Sequence, residues 1–167
     1  MKVMETARLR LREFRESDYE EILSNVYADK EVWGMYSSIG DKPDEIRHRF
    51  LNRCYQPSSA EFGFRAAELK TTGHVIGQVH VEPHVIDRRA IPGEPPSPFD
   101  TNEVELAFAF GKAYWGQGFA YEACLAMIDY AFRDLKLPRL VGGALVGNQR
   151  SIKLHQRLGY TITPDSL

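Results

Sequence analysis

The chain has only two cysteines in 167 residues, Cys54 and Cys124. They lie far apart, form no Cys-x-x-Cys pair, and each falls in a segment patterned as helix. This argues against a disulfide scaffold and fits buried thiols in a reducing compartment. No run approaches the ~20 apolar residues that a membrane helix needs. The opening Met1-Lys2-Val3-Met4-Glu5-Thr6-Ala7-Arg8 lacks the apolar core of a signal peptide. Basic excess is missing too: 21 Lys and Arg face 23 Asp and Glu, for a net charge of −2. That is a poor match for a surface whose work is neutralising nucleic-acid phosphates or anionic lipid. These absences lead us to expect a cytoplasmic protein.

What is present is the mix of an ordinary folded protein, 43% hydrophobic and 26% charged, which excludes disorder, collagen and coiled coil. A chain of this length reads as one domain, residues 1–167. It can hide about two-thirds of its unfolded surface without a metal or disulfide.

Arg8-Leu9-Arg10-Leu11-Arg12-Glu13-Phe14 alternates strictly, predicting a half-buried strand with Leu9 and Leu11 inward and three arginines on the wet face. The alternative is a phosphate-binding ribbon of Arg8, Arg10 and Arg12. Ser17-Asp18-Tyr19-Glu20 is a capping-box signature for a helix towards Ala28. A second helix begins near Pro43, with Ile46, Phe50 and Leu51 on one side. Glu61 to Leu69 and Thr72 to Glu82 read as strands around the turn Lys70-Thr71-Thr72-Gly73, with Pro83 ending the second. Pro92-Gly93-Glu94-Pro95-Pro96-Ser97-Pro98 reads as a long exposed loop.

The later part of the chain is more informative. Val104, Leu106, Phe108 and Phe110 alternate with Glu103, Glu105, Ala107 and Ala109, a strand with one bulky and one small or acidic face. Ala120, Ala123, Cys124, Met127, Ile128, Ala131 and Leu135 then recur at steps of three and four, an amphipathic helix. Arg139 to Val146 reads as a buried strand. A last helix runs from Asn148, its N-cap, to Leu158, with Gly159 as a left-handed stop. The order predicts an α/β or α+β fold built on one layered sheet.

Between strand and helix stands Tyr114-Trp115-Gly116-Gln117-Gly118-Phe119-Ala120. Glycines at 116 and 118 and the small Ala120 clear side chains from a turn that opens a helix, where unbonded amides and the helix dipole can hold a diphosphate without Lys or Arg. A plain connecting turn is the competing reading. No Gly-Lys-Ser/Thr follows, so this is not a nucleotide P-loop. The third glycine of a dinucleotide fingerprint is missing as well.

Trp115-Gly116-Gln117-Gly118-Phe119-Ala120 resembles the coenzyme A loop of the GNAT N-acetyltransferases, Arg/Gln-x-x-Gly-x-Gly/Ala, matching at Gly118 and Ala120. Trp115 stands where the family usually has Arg or Gln. That change, with Tyr121-Glu122-Ala123, resembles the branch of ribosomal-protein N-terminal (alanine) acetyltransferases. Asn148-Gln149-Arg150-Ser151 with Leu158-Gly159-Tyr160 is similar to the family's Asn-x-x-Ser…Leu-Gly-Phe signature, and Thr6 to Arg12 resembles its first strand. The likeness spans nearly the whole chain. It implies a mixed, mostly antiparallel sheet flanked by helices, with a splayed central strand and a pantetheine arm in the gap. It also implies acetyl-CoA as cosubstrate, with no metal. Backbone groups of Phe108, Ala109 and Phe110 would pair with the arm. Amides around Gly116, Gln117, Gly118, Phe119, Ala120 and Tyr121 would hold the pyrophosphate, and Asn148 and Ser151 would face the coenzyme.

Acyl transfer from a thioester to an amine needs a proton acceptor, since an alkylammonium has a pKa near 10. A main-chain N–H on the splayed strand can stabilise the developing oxyanion. Glu105 is the first candidate base, on that strand two residues before Ala107; Glu103, ~6–7 Å along the same face, is the second. The competing reading of each is a solvated strand-end glutamate. His155 stands where the family often has a tyrosine that protonates the departing thiolate; that thiolate can also take its proton from water. His80 and His84 lie ~13 Å apart on a strand, too far to share a metal without a bend at Pro83. His80 and Glu82 can instead line the acceptor cleft.

Members of this family usually carry another strand after Leu-Gly-Phe. Here seven residues follow Tyr160, so we expect a shortened C-terminal hairpin or a homodimer covering a bare edge. The expected activity is direct transfer of acetyl to a primary amine, with no covalent acyl-enzyme. A protein N-terminus, a polyamine, an antibiotic amine and a metabolite all stay open as acceptor. So do a different acyl group and a non-catalytic acyl-CoA-binding module; a nucleic-acid binder using the three arginines is a weaker rival.

Overall fold

In the computed structural model, residues 2–34, 42–55, 60–86 and 101–163 are described. Among these residues, five strands form one sheet in sequence order, every neighbouring pair antiparallel. They are β1 (Met4–Glu5), β2 (Leu9–Arg12), β3 (Gly63–Leu69), β4 (Val75–Ile86) and β5 (Thr101–Phe110). Among the described residues, three helices lie in the β2–β3 crossover: α1 (Tyr19–Ile22), α2 (Lys30–Trp33) and α3 (Pro43–Tyr55). Two follow β5, α4 (Phe119–Asp129) and α5 (Gln149–Arg157). Both α1 and α4 run on into a wider final turn closed by i+5 bonds, Ala28 to Leu23 and Leu135 to Tyr130.

The sheet buries both faces, because its strands alternate two apolar sets. Leu9, Leu11, Ala67, Val79 and Leu106 pack against Ala123, Cys124 and Met127 of α4. Ala66, Val75 and Ala109 pack against Ile22, Val26, Ile46 and Phe50 from the helices before β3. Leu9 and Leu11 are fully buried as the alternation predicts, each contributing about 1.5–3 kcal/mol relative to exposure.

Three features depart from the alternation. Arg12 is buried, its guanidinium held between Asp18, at 2.7 and 2.9 Å, and Glu68, at 2.5 Å. Arg10 and Arg8 are tied to Glu68 and Glu122. The three arginines therefore do not form one free basic face, and the phosphate ribbon falls with it. Second, β4 continues through Pro83, which sits opposite Val104. Its β3 neighbour ends at Gly63 opposite Val81, so beyond Val81 the missing N–H falls on an unpaired edge, where proline is tolerated.

Third, residues 139–146 are not a buried strand. They touch β5 at one parallel bridge, Val141 beside Glu105, with bonds from Leu106 N to Val141 O (2.9 Å) and Val141 N to Val104 O (3.0 Å). From Gly142 to Gly147 the chain is exposed. Two glycines give the segment nothing to pack, and it diverges from β5 where the strand would otherwise continue. This bridge is the sheet's parallel element, and the divergence opens a wedge. The proline-rich stretch and residues 164–167 lie outside the described residues. Tyr160–Thr163, within them, form no strand.

Candidate active site

The wedge opens into a cleft of about 1080 Å³, at the upper end of the ~300–1,000 Å³ usual for ligand sites. One end is the glycine turn. Gly116 and Gly118 hold φ of +73° and +83°, left-handed conformations that cost a side-chain-bearing residue roughly 1–2 kcal/mol. Gly118 caps α4 with no side chain of its own, and the first helical bond runs from Glu122 N to Gly118 O. The amides of Phe119, Ala120 and Tyr121 are thus the unpaired donors of the first turn, at the positive end of the dipole. Gly116, Gly118, Phe119, Ala120 and Tyr121 line the cleft, whereas Gln117 does not. Gln117 instead turns its carbonyl to Arg8.

Arg8 is a residue that sequence reasoning missed here. Its Nη1 donates to Gln117 O (2.9 Å), its Nε to Glu122 (2.7 Å), and its guanidinium lies 4.2 Å over the Phe119 ring. Thr6 Oγ1 and the Arg8 amide bond the same Glu122 carboxylate. No sequence spacing links these groups. On the other side the Trp115 indole donates to Phe110 O at 2.6 Å, so the residue standing in the family's Arg/Gln position pins the turn to the end of β5.

Along the wedge, pairing alternates. Leu106 N faces Val141, and Gly111 N faces Ile76 on β4. Main-chain groups of the even-numbered residues therefore face the wedge and those of the odd-numbered residues face β4. Phe108 and Phe110 turn their amides into the opening, where nothing among the described residues accepts from them. Ala109 is turned to Gln78 of β4, so its backbone does not face the wedge, a correction to the expected trio.

The two glutamates separate. Glu105 lines the cleft, its Oε1 3.6 Å from where a Cβ on Gly143 would sit. Glu103 is buried and held by Arg139, with Nε at 2.7 Å and Nη2 at 2.5 Å. The ion pair removes Glu103 from the cleft wall, and the spacing that made both glutamates candidates carried no sign of it.

On α5, Asn148 Oδ1 accepts from Ser151 N at 3.1 Å, and both residues line the cleft. His155 is buried against Phe108 and Tyr160. Its Nδ1 lies 2.9 Å from Ser151 O; a carbonyl only accepts, so Nδ1 is the donor in that bond. Nε2 has no partner among the described residues and would be 2.8 Å from a Cβ at Gly142.

At the far end, Trp33, Arg49, Arg53, Phe64 and His80 line the cleft beside Glu105. His80 stacks on Phe64, ring centres 4.1 Å apart. Burial, then the nearby Arg53 charge, then His84 push its pKa down to about 3, so the imidazole stays neutral. Neither cysteine is placed as a nucleophile. Cys124 is wholly buried, and burial pushes its thiol upwards. Cys54 is pushed up to about 11 by burial and then by Asp18 and Glu16. Among the described residues no three His, Cys, Asp or Glu side chains gather as a metal set, and no helix is long and apolar enough to cross a membrane.

Comparison with known proteins gives concordant results. Residues 8–161 match the family model described as an acetyltransferase (GNAT) domain. The uncharacterized N-acetyltransferase p20 of Bacillus licheniformis is 28% identical over 162 residues, covering 96% of this chain and 83% of its own length. The crystal structure of an acetyltransferase from Agrobacterium tumefaciens superposes with a TM-score of 0.73 at 25% identity, over 100% of this chain and 88% of that one. A ribosomal L7/L12 alpha-N-protein acetyltransferase in complex with coenzyme A shares the fold with a TM-score of 0.71, at 14% identity and over 98% and 86% of the two chains.

Proposed function

The chain belongs to the GNAT acetyltransferase family, and on that premise we propose that it moves acetyl directly from acetyl-CoA to a primary amine, in a cytoplasmic setting and within one domain spanning residues 1–167. One observation carries the reading. The wedge beside β5 runs without interruption from the unpaired amides at the start of α4 to the carboxylate of Glu105.

In this reading the amides of Phe119, Ala120 and Tyr121, with Gly116 and Gly118 clearing the way, hold the pyrophosphate. The pantetheine arm bonds the wedge-facing backbone of Phe108 and Phe110. Asn148 and Ser151 border the coenzyme from α5. Glu105 draws the ammonium in and accepts its proton, directly or through a water. The amine nitrogen then attacks the thioester carbon, and a wedge-facing N–H of β5 stabilises the oxyanion. As the C–S bond breaks, the nitrogen gives its second proton to water, and the departing thiolate takes one from water. His155, bonded through Nδ1 to Ser151 O, packs against Phe108. Glu103 serves as the partner of Arg139.

The ribosomal-protein neighbour supports a protein N-terminus as one acceptor to try; small amines are the other. Thiol release from acetyl-CoA across a panel of N-terminal peptides and amines tests the reading. Turnover with at least one acceptor is expected. CoA uptake without turnover on any of them would make the protein a CoA-binding module instead.

A further inference from the structure

The acceptor end of the cleft carries a second charge, opposite in sign to Glu105. Arg53 lies in the wall, part-buried, with its guanidinium 3.7 Å over the Phe64 ring. Its hydrogen bonds go to neutral groups only, the Tyr27 hydroxyl and Gln78 Oε1 at 3.2 Å. Burial pushes the Tyr27 phenol up to about 12, so that partner stays uncharged. No carboxylate among the described residues pairs with Arg53. One helical turn earlier, Arg49 lines the same wall and meets Glu45 only at 3.7 Å.

The other carboxylate on this wall is already taken. Glu31 is shared between Lys112 and Arg150. Glu105 has no ion-pair partner among the described residues, so the sheet end of the cleft is left with one unspent anion and one unspent cation. Their separation follows from the register. Phe64 faces His80, His80 faces Ala107, and Glu105 is two residues on. That puts the Cα atoms of Phe64 and Glu105 roughly 12 Å apart, from strand spacings of ~4.8 Å and ~6.7 Å per two residues. Arg53, over Phe64, and Glu105 line the same cleft along that span.

We infer that the acceptor is an amine bearing a carboxylate several bonds from its nitrogen, with the ammonium at Glu105 and the carboxylate on Arg53, aided by Arg49. The inference rests on the transferase reading above and narrows it. An arginine is always charged and forks onto a carboxylate. Here that fork stands over an apolar ring, and neither carboxylate lining the cleft, Glu31 or Glu105, is paired with it.

The test is a matched series: 3-aminopropanoate to 6-aminohexanoate against their carboxamides, and tripeptides with Glu or Gln at the second position, all with acetyl-CoA. At one or more lengths the acid should exceed its amide by about tenfold or more in kcat/KM, mostly through KM. Arg53→Gln should erase the preference, Arg53→Lys should keep part of it, and CoA affinity should stay unchanged in both. If either variant fails to fold, the acid-to-amide ratio of the unmodified protein still decides. Acetylation with equal or better use of the amides overturns the inference and leaves the transferase reading standing. If nothing is acetylated and no acid binds the CoA-loaded protein, the inference is overturned. Absence of CoA uptake overturns both.

Discussion

Arg8 and Glu122 are 114 positions apart in sequence and joined at 2.7 Å in space. Arg8 immediately precedes β2 and Glu122 lies in the first turn of α4, so the pair ties the second strand to the glycine turn. The same guanidinium holds Gln117 O, which fixes the turn from both sides.

Replacing Arg8 with Met should therefore weaken CoA binding about three- to tenfold, since charge-assisted bonds at a half-exposed site are worth of order 1 kcal/mol. Titration calorimetry with CoA reads it. An unchanged Kd would mean that the turn holds its shape alone.

The pair also sets an acid limit. Burial raises the Glu122 carboxyl, but bonds from Thr6, the Arg8 amide and the Arg8 guanidinium outweigh it and leave the pKa below the ordinary value. A depressed carboxylate adds stability that is complete above its unfolded pKa and is lost as pH falls through the folded one. Melting temperature should drop between about pH 5 and pH 3, and Glu122→Gln should flatten that part of the profile.

Gly118→Ala places a Cβ on a backbone at φ +83° and 3.4 Å from Arg8 Nη2. A loss of about 1–2 kcal/mol is expected, or some 2–8 °C in Tm for a domain of this size, with weaker CoA binding. Thermal melts with and without CoA separate the two effects.

Glu105→Gln should lower kcat by about 10²–10⁴-fold while CoA affinity stays put, the range for losing a positioned proton acceptor. Glu103→Gln should act differently, by breaking the ion pair of this buried carboxylate with Arg139 and lowering stability. Steady-state kinetics beside chemical denaturation distinguishes them.

Cys54→Ala should keep full transferase activity, because with direct transfer no thiol of the protein becomes acylated. Mass spectrometry of the enzyme mixed with acetyl-CoA alone should show no added acetyl group. A stable adduct on Cys54 would require a two-step route.

Much of this architecture is legible in the residues themselves. Alternation placed Leu9 and Leu11 inside, steps of three and four placed Ala123, Cys124 and Met127 on one face, and Asn148 and Gly159 bracketed α5. These are local patterns, and local patterns are what periodicity reports. Residues 139–146 misled because apolar content alone does not say whether a partner strand will lie alongside. Pro83 misled because its tolerance depends on where β3 stops. Arg12, Glu103 and Arg53 are decided by partners dozens of residues away, at Glu68, Arg139 and Gln78, which no window along the chain contains.

The single bridge at Val141 leaves the sheet with an unfinished side. A pantetheine arm lying along Phe108 and Phe110 would supply the missing row of hydrogen bonds, so the cosubstrate becomes a temporary sixth ribbon. The loaded protein should then be the more cooperative one, with slow hydrogen exchange at those two amides. Each product departure would return that flank to water, and the rhythm of turnover would also be a rhythm of stiffening and loosening in the scaffold.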